Sequence, residues 1–321
     1  MLSTFGSGIS RVGQMFEIYS KEKKQKIAPS KVTSILITTG VNMSSDAVEL
    51  ALQNNIDIVM LDKYGNPVGR FWHARMGSTA RIRRAQLLIS LSDEGMIPGL
   101  KWIISKFENQ IDFLTALRTR RARLSAEITS AITEIEKAKN QILEVNGKMD
   151  DRRGKIMGIE GMAGRIYWDL FSKLVPPHFT FKGRSRQPAR DEFNALLNYG
   201  YGVMYGIVER AVVVAGLDPY IGFVHTDHYN KVSLVFDVIE KYRIWVEETI
   251  LDLFGKKAIK KPMFRKLSNG FTLDVEGKKA LIPALNEHLD TQIRYRGRLI
   301  RRRDTIQLDL HRFAKELLER T

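Results

Sequence analysis

Arg81-Ile-Arg-Arg84-Ala-Gln86-Leu87-Leu88-Ile-Ser-Leu91 is the stretch at which the chain changes period. Its apolar residues return at helical spacing with arginines between them, which lays one apolar stripe along a helix. Upstream the pattern is that of strands. Residues 32–38 and 56–61 are short, apolar and β-branched, and Lys63-Tyr-Gly-Asn-Pro67 reads as the turn after the second run. Between the two runs lies one helix, capped by Ser45 or Asp46, with Glu49 three residues beyond Asp46 and an apolar side made by Val48, Ala51 and Leu52. Residues 1–74 therefore form a small β-rich N-terminal domain with a single helix. Residues 75–321 form a larger all-α domain, and the fold class is α+β.

Downstream of Leu91 the helical signal persists. Phe107, Ile111, Leu114, Leu117, Leu124, Ile128, Ile132 and Ile135 recur at spacings of three, four and seven, which predicts one long amphipathic helix or a helical hairpin bent near 118–123. A further helix over 156–174 must stop at Pro176-Pro177. Residues 182–190 form a basic loop. Helices over 191–215 and 231–254 follow, separated by a turn that holds Gly216, Asp218-Pro219 and Gly222. The tail carries arginines at 294, 296, 298, 301, 302 and 303.

With 51 Lys+Arg against 36 Asp+Glu the net charge is +15, which directs the search for partners towards polyanions, nucleic acid before anionic membrane. No run of eighteen or more apolar residues and no leader-like N-terminus is present, so neither a spanning helix nor a signal peptide is expected. The absence of Cys excludes disulfides, thiolate zinc sites and a Cys nucleophile, and fits a cytoplasmic protein. Any metal must use oxygen or imidazole ligands. Phosphate-loop, nucleophile-elbow and His-Glu-x-x-His signatures are missing, so ATPase, serine hydrolase and zincin chemistry lack support.

Four polar residues stand inside apolar or glycine-rich segments: Glu160, His225, Asp237 and Glu240. Asp237 and Glu240 are three apart in Ser233-Leu-Val-Phe-Asp237-Val-Ile-Glu240, so a continuous helix presents both on one face. Buried carboxylates are costly unless paired or bound to a cation, although spacing alone favours ordinary ion pairs with Lys231, Lys241 or Arg243. Glu160 lies in Gly158-Ile-Glu160-Gly161-Met-Ala-Gly164, where glycines every three residues offer a smooth strip to a second helix. His225 ends the apolar run Ile221-Gly-Phe-Val-His225 before a polar Thr226-Asp227-His228 loop. By itself such a histidine is a packing residue, and with His228 it makes only a weak zinc signal. Carboxylates with one imidazole suit Mg²⁺ or Mn²⁺.

Three basic clusters, Arg81-Ile-Arg83-Arg84, Lys182-Gly-Arg184-Ser-Arg186 and Arg301-Arg302-Arg303, predict as a set a surface that binds phosphates. Tyr199 and Tyr201 are read as core residues.

Four blocks in order carry a resemblance: Gly161-Met-Ala-Gly-Arg165-Ile-Tyr-Trp168, Arg184-Ser-Arg-Gln-Pro188-Ala-Arg-Asp-Glu-Phe-Asn194-Ala-Leu-Leu-Asn198-Tyr-Gly-Tyr201, Leu217-Asp-Pro-Tyr-Ile-Gly-Phe-Val-His225, and residues 233–243. Together they resemble the CRISPR-associated spacer-acquisition integrases, the Cas1 family, over roughly residues 15–243. The resemblance implies a divalent metal, Mg²⁺ or Mn²⁺, on Glu160, His225 and Glu240, with Asp237 as an accessory catalytic residue. The family's last acid is often Asp, so either Asp237 or Glu240 could be the principal ligand. The resemblance further implies DNA contacts from Arg84, Arg165, Arg184, Arg186 and Arg243, a homodimer through the N-terminal domain, a small Cas2 partner and double-stranded DNA as substrate. The implied reaction joins a 3′-hydroxyl of short DNA to a repeat boundary by transesterification. A transposon integrase of casposon type, a branched-DNA nuclease and a non-catalytic architectural DNA-binding protein are the alternatives.

Overall fold

The computed structural model describes every residue except 1, 3–4, 21–22, 33, 55, 63–66, 72–79, 147–148, 180, 226–230 and 321. Alternation too brief to register in the sequence makes the first three strands, β1 (Gly8–Val12), β2 (Met15–Tyr19) and β3 (Lys24–Ile27), which run antiparallel with Ile9 and Phe16 turned inward. Strand β4 (Ser34–Ile37) follows, and β5 (Asn42–Met43) then pairs in parallel with β1, completing a sheet of order β3-β2-β1-β5.

Helix α1 (Ser45–Gln53) comes next, and Ser44 caps it: Ser44 Oγ accepts from the Ala47 N–H at 3.2 Å. The cap expected at Ser45 or Asp46 is thus displaced, because the first turn forms one residue earlier than the Asp46–Glu49 spacing indicates. Strand β6 (Asp57–Leu61) pairs in parallel with β4 and antiparallel with β7 (Pro67–Phe71). Its side chains leave on alternate faces, so Ile58 enters the N-terminal core while Val59 and Leu61 enter the larger helical one. The turn expected before Pro67 and the boundary expected at 74 fall on residues outside those described. Arg70 on β7 reaches across, with Nη2 donating to Gly206 O at 2.9 Å and lying 3.1 Å from Glu209.

The helical region begins at α2 (Ala80–Ser90). Of the two forms its long apolar period allowed, the hairpin is found: α3 (Met96–Arg120) folds back through residues 121–124 onto α4 (Ser125–Leu143), burying Phe107 and Leu114 against Ile128, Ile132 and Ile135. Helix α5 (Met149–Leu174) packs on α4 and stops ahead of the two prolines. Helix α6 (Glu192–Val214) is apolar all round and occupies the middle of the core. Asp191 caps it by accepting from the Asn194 N–H at 2.7 Å.

The helix expected over 231–254 is broken. It is α7 (Ser233–Ile239), a 3-10 turn over Glu240–Tyr242, and α8 (Ile244–Gly255). Asn109 on α3 donates through Nδ2 to Lys241 O at 2.7 Å and so holds that carbonyl within the turn. Two hairpins lie in the otherwise helical region, β8 (Phe264–Leu267) with β9 (Gly270–Leu273), and, after α9 (Val275–Asp290), β10 (Gln292–Tyr295) with β11 (Arg298–Arg301). Helix α10 (Arg302–Arg320) closes the chain against α2, α6 and α9. Among the described residues no helix is long and apolar enough to cross a membrane.

Candidate active site

A cleft of about 640 Å³ opens between α3, α5, α7 and the basic loop 182–190, and Glu160, His225 and Glu240 all line it. Asp237 does not. Its carboxylate, 3% exposed, turns instead to the segment before α7, where Oδ2 accepts from the N–H groups of Phe223 at 2.6 Å and Val224 at 3.1 Å. Oδ1 accepts from the His225 N–H at 2.9 Å and meets His225 Nδ1 at 2.6 Å. Three peptide donors and one ring nitrogen satisfy this acid completely. With Nδ1 engaged by Asp237, Nε2 is the ring nitrogen that remains for the cleft. Gly222 is required for this crossing, since a Cβ there would lie 2.7 Å from Ser233 Cβ and 2.8 Å from His225 O. Gln86 on α2 fixes the preceding turn, donating to Asp218 O at 2.9 Å and Ile221 O at 2.8 Å and accepting from Asp218 N at 2.8 Å.

Asp237 and Glu240, three apart and both buried, meet different partners: Asp237 turns to the segment before α7 and Glu240 to the cleft. Glu240 Oε1 lies 2.9 Å from Arg243 Nε, and Oε2 lies 2.8 Å from Lys106 Nζ. The same ammonium donates to Glu160 Oε1. Lys106 on α3 thus bridges the two glutamates. Burial opposes its charge, yet Glu240 and Glu160 outweigh burial and hold the ammonium above its ordinary pKa. Burial likewise raises the Glu240 carboxyl, but Arg243 and Lys106 prevail and hold it well below the usual carboxylate range. The Lys106 contact is off the hydrogen-bonding direction, which leaves the buried Glu240 Oε2 without an aligned donor.

Arg184, Arg186, Arg243 and Arg165 also line the cleft, whereas Arg84 stands exposed on α2 away from it. Two asparagines hold the loop that carries the first pair. Asn194 accepts from Arg184 Nη1 at 2.9 Å and Ser185 N at 2.8 Å and donates to Gly183 O at 2.9 Å, and Asn198 donates to Arg186 O. Arg184 lies over the Tyr201 ring at 5.3 Å and Arg243 over the same ring at 5.0 Å, while Arg186 and Arg243 each donate to Tyr205 OH. Tyr201 is itself buried and donates to Glu247 at 2.7 Å, as a core residue does.

Of the three basic clusters only 182–186 reaches the cleft. Arg301, Arg302 and Arg303 are engaged with Asp304 and Asp290, Glu248, and Asp290 respectively, because that run starts α10 among acids. The glycine strip of α5 meets no helix: a Cβ on Gly158, Gly161 or Gly164 would find nothing within 4 Å, and Gly161 and Gly164 face the cleft. The polar loop 226–228 lies outside the described residues.

Two carboxylates, an imidazole that turns Nδ1 to Asp237 and a buried Oε2 lacking an aligned donor form a set that fits a hard divalent cation. As the side chains stand, no three Asp, Glu or His groups among the described residues converge at ligand distance, and the Lys106 ammonium lies between the glutamates instead. Sequence reading missed Lys106, whose one signal is a lone charge in Ile103-Ile-Ser-Lys106-Phe107.

The family described as CRISPR associated protein Cas1 matches residues 1–287. A protein named CRISPR-associated endonuclease Cas1 1, from Archaeoglobus fulgidus, is 35% identical over 296 residues, 88% of this chain and 86% of that one. Among solved structures, a casposase bound to integration product has a TM-score of 0.85 at 22% identity, over 100% of this chain and 90% of that one. A chain of a Cas6-RT-Cas1–Cas2 complex has a TM-score of 0.79 at 19% identity, over 99% of this chain and 34% of that one. These two structural likenesses show the fold.

Proposed function

The chain belongs to the CRISPR-associated protein Cas1 family, and from that premise we propose that it is a divalent-metal-dependent DNA integrase. It joins the 3′-hydroxyl ends of short DNA to a CRISPR repeat array by exchanging one phosphodiester for another, which requires no ATP. The observation that carries this reading is the meeting of Glu160, Glu240 and His225 in one arginine-lined cleft.

Mg²⁺ or Mn²⁺ held by these three residues would polarise the scissile phosphate and lower the pKa of the attacking hydroxyl. Asp237 acts through His225, fixing its tautomer and aim, and is a positioning residue. Arg184, Arg186 and Arg243 are braced on tyrosines and present guanidinium groups to a phosphodiester, where they stabilise developing charge. Arg165 extends the basic rim. Arg84, away from the cleft, serves at most as an outer contact to duplex phosphates.

Residues 1–74 are the dimerisation domain in this reading, and residues 75–321 the catalytic one. The N-terminal sheets support that role with an open β3 edge and exposed Val68 and Met60. A Cas2 partner is proposed from the family and from the complex whose chain shares this fold. A transposon-type integrase is the second reading, favoured by the likeness to the casposase; the higher identity to a Cas1 protein over most of both chains places it second.

A labelled 3′-hydroxyl duplex, mixed with repeat-bearing plasmid and Mn²⁺, is expected to become joined at the repeat boundary. Joining without metal dependence, or none at all, overturns the proposal; joining at any plasmid site without preference for the repeat moves it to the second reading.

A further inference from the structure

Residues 288–321 lie beyond the family match, yet they are tied to the centre of the site. Asp309 on α10, with its side chain 11% exposed, accepts from Lys241 Nζ at 2.5 Å, Tyr242 OH at 2.7 Å, Tyr295 OH at 2.5 Å and Arg312 Nη2 at 2.6 Å. Lys241 and Tyr242 are the two residues after Glu240, and Tyr295 ends β10. One carboxylate therefore joins the turn that carries Glu240 to Tyr295, at the turn end of the β10–β11 hairpin. A charge-assisted network of this kind has little freedom to shift at one member alone.

The hairpin tip is chemically unlike the rest of the tail. Arg294, Arg296 and Arg298 are exposed and make no ion pair among the described residues, whereas Arg301, Arg302 and Arg303 all meet acids. Arg296 has φ 49° and Gly297 φ 82°, the tight turn that favours glycine at both centres. A side chain kept in that conformation, at some cost in strain, points to a use for it. Arg296 also borders a depression of about 400 Å³ where Lys101, Lys241 and Arg312 are paired with Asp309 or Glu316, so the three exposed arginines of the tip are the cations left there for successive phosphates.

We propose that the tip of the β10–β11 hairpin is a phosphate clamp for duplex DNA, and that Asp309 is a positioning residue that couples the clamp to the Glu240 turn. DNA drawn onto the tip constrains Tyr295, and Asp309 passes that constraint to Lys241 and Tyr242, steadying Glu240 for its cation. The coupling rests on the integrase reading for what Glu240 binds; the clamp does not.

The test uses the full chain and two readouts that need no strand transfer: duplex affinity against salt by fluorescence anisotropy, and Mn²⁺ affinity by electron paramagnetic resonance with and without duplex. The combined variant R294A/R296A/R298A is expected to lose about 2 to 3 from the slope of log affinity against log salt. It should bind Mn²⁺ like the wild type without DNA and gain nothing when duplex is added. D309N is expected to keep the slope and to bind Mn²⁺ roughly tenfold more weakly, with D309E recovering part of the loss at unchanged melting temperature. An unchanged slope in the arginine variant overturns the clamp. Wild-type Mn²⁺ affinity in D309N overturns the coupling alone, and a wild-type protein that binds no Mn²⁺ overturns the coupling together with the integrase reading.

Discussion

Asp237 and Glu240 are three residues apart and are 3% and 8% exposed, but the two walls of the cleft they serve neutralise them by different means. On the His225 wall the charge is met by three peptide N–H groups and a ring nitrogen. Those dipoles belong to the backbone and cannot leave. On the Glu160 wall the charge is met by Lys106 and Arg243, side chains that can. Fixed donors set geometry, and exchangeable cations leave a place that another cation can take. The metal site proposed here would need one wall of each kind, one to hold the histidine still and one to admit the cation.

The sharpest break in that comparison comes from the proposed ligands. Glu160→Ala, His225→Ala and Glu240→Ala should each lower strand transfer at fixed Mn²⁺ by at least about a thousandfold, roughly 4 kcal/mol of barrier. All three should still melt cooperatively. Normal metal-dependent joining by the Glu160 variant would show that the chemistry lies elsewhere.

Asp237→Ala should do the reverse, striking the fold harder than any ligand substitution. Deleting it leaves three buried N–H groups without an acceptor, which costs about 3 to 5 kcal/mol in urea unfolding. A loss below about 1 kcal/mol would remove the distinction between the walls.

Lys106→Met removes the exchangeable cation from between the glutamates. Its stability in EDTA should fall by about 2 kcal/mol, less than for a fully enclosed pair because the cleft admits water. Mn²⁺ should then raise its melting temperature more than it raises that of the wild type. Equal metal-induced shifts would mean that Lys106 and the metal do not compete.

The smallest effect is in pH. Glu240 has its folded pKa depressed below the ordinary 4.5, so its contribution to stability is complete above that value and is lost only as pH falls through the lower folded one. A titration of unfolding free energy from pH 7 to 5 should therefore show no loss that Glu240→Gln abolishes.

Much of this architecture was legible in sequence because it rests on period. Strands β4 and β6, the α3–α4 hairpin, the stop of α5 at its prolines and the loop 182–190 all follow from spacing and from residues that break it. Strands β1 to β3 were not legible, being short and carrying only Ile9 and Phe16 as fully inward side chains. The interruption at Glu240 was hidden for another reason. Nothing in the local sequence breaks the helix, and the Lys241 carbonyl in the turn is met by Asn109, distant in the chain. The division of labour between the two acids was closed to spacing as well, since a period gives the face a residue shares and not the partner it meets. Charge clusters misled in the same way: Arg184 and Arg186 face the cleft, while Arg301 to Arg303, equally basic on paper, are consumed by neighbouring acids.

Gly161 and Gly164 leave part of the cleft wall as naked backbone. At those two positions α5 presents helix backbone and no side chain. In the proposed integrase, a duplex lying on that strip would be met there by its width and charge and not by its letters. Under the proposed function, such a strip would suit the joining of sequences that share nothing but their ends.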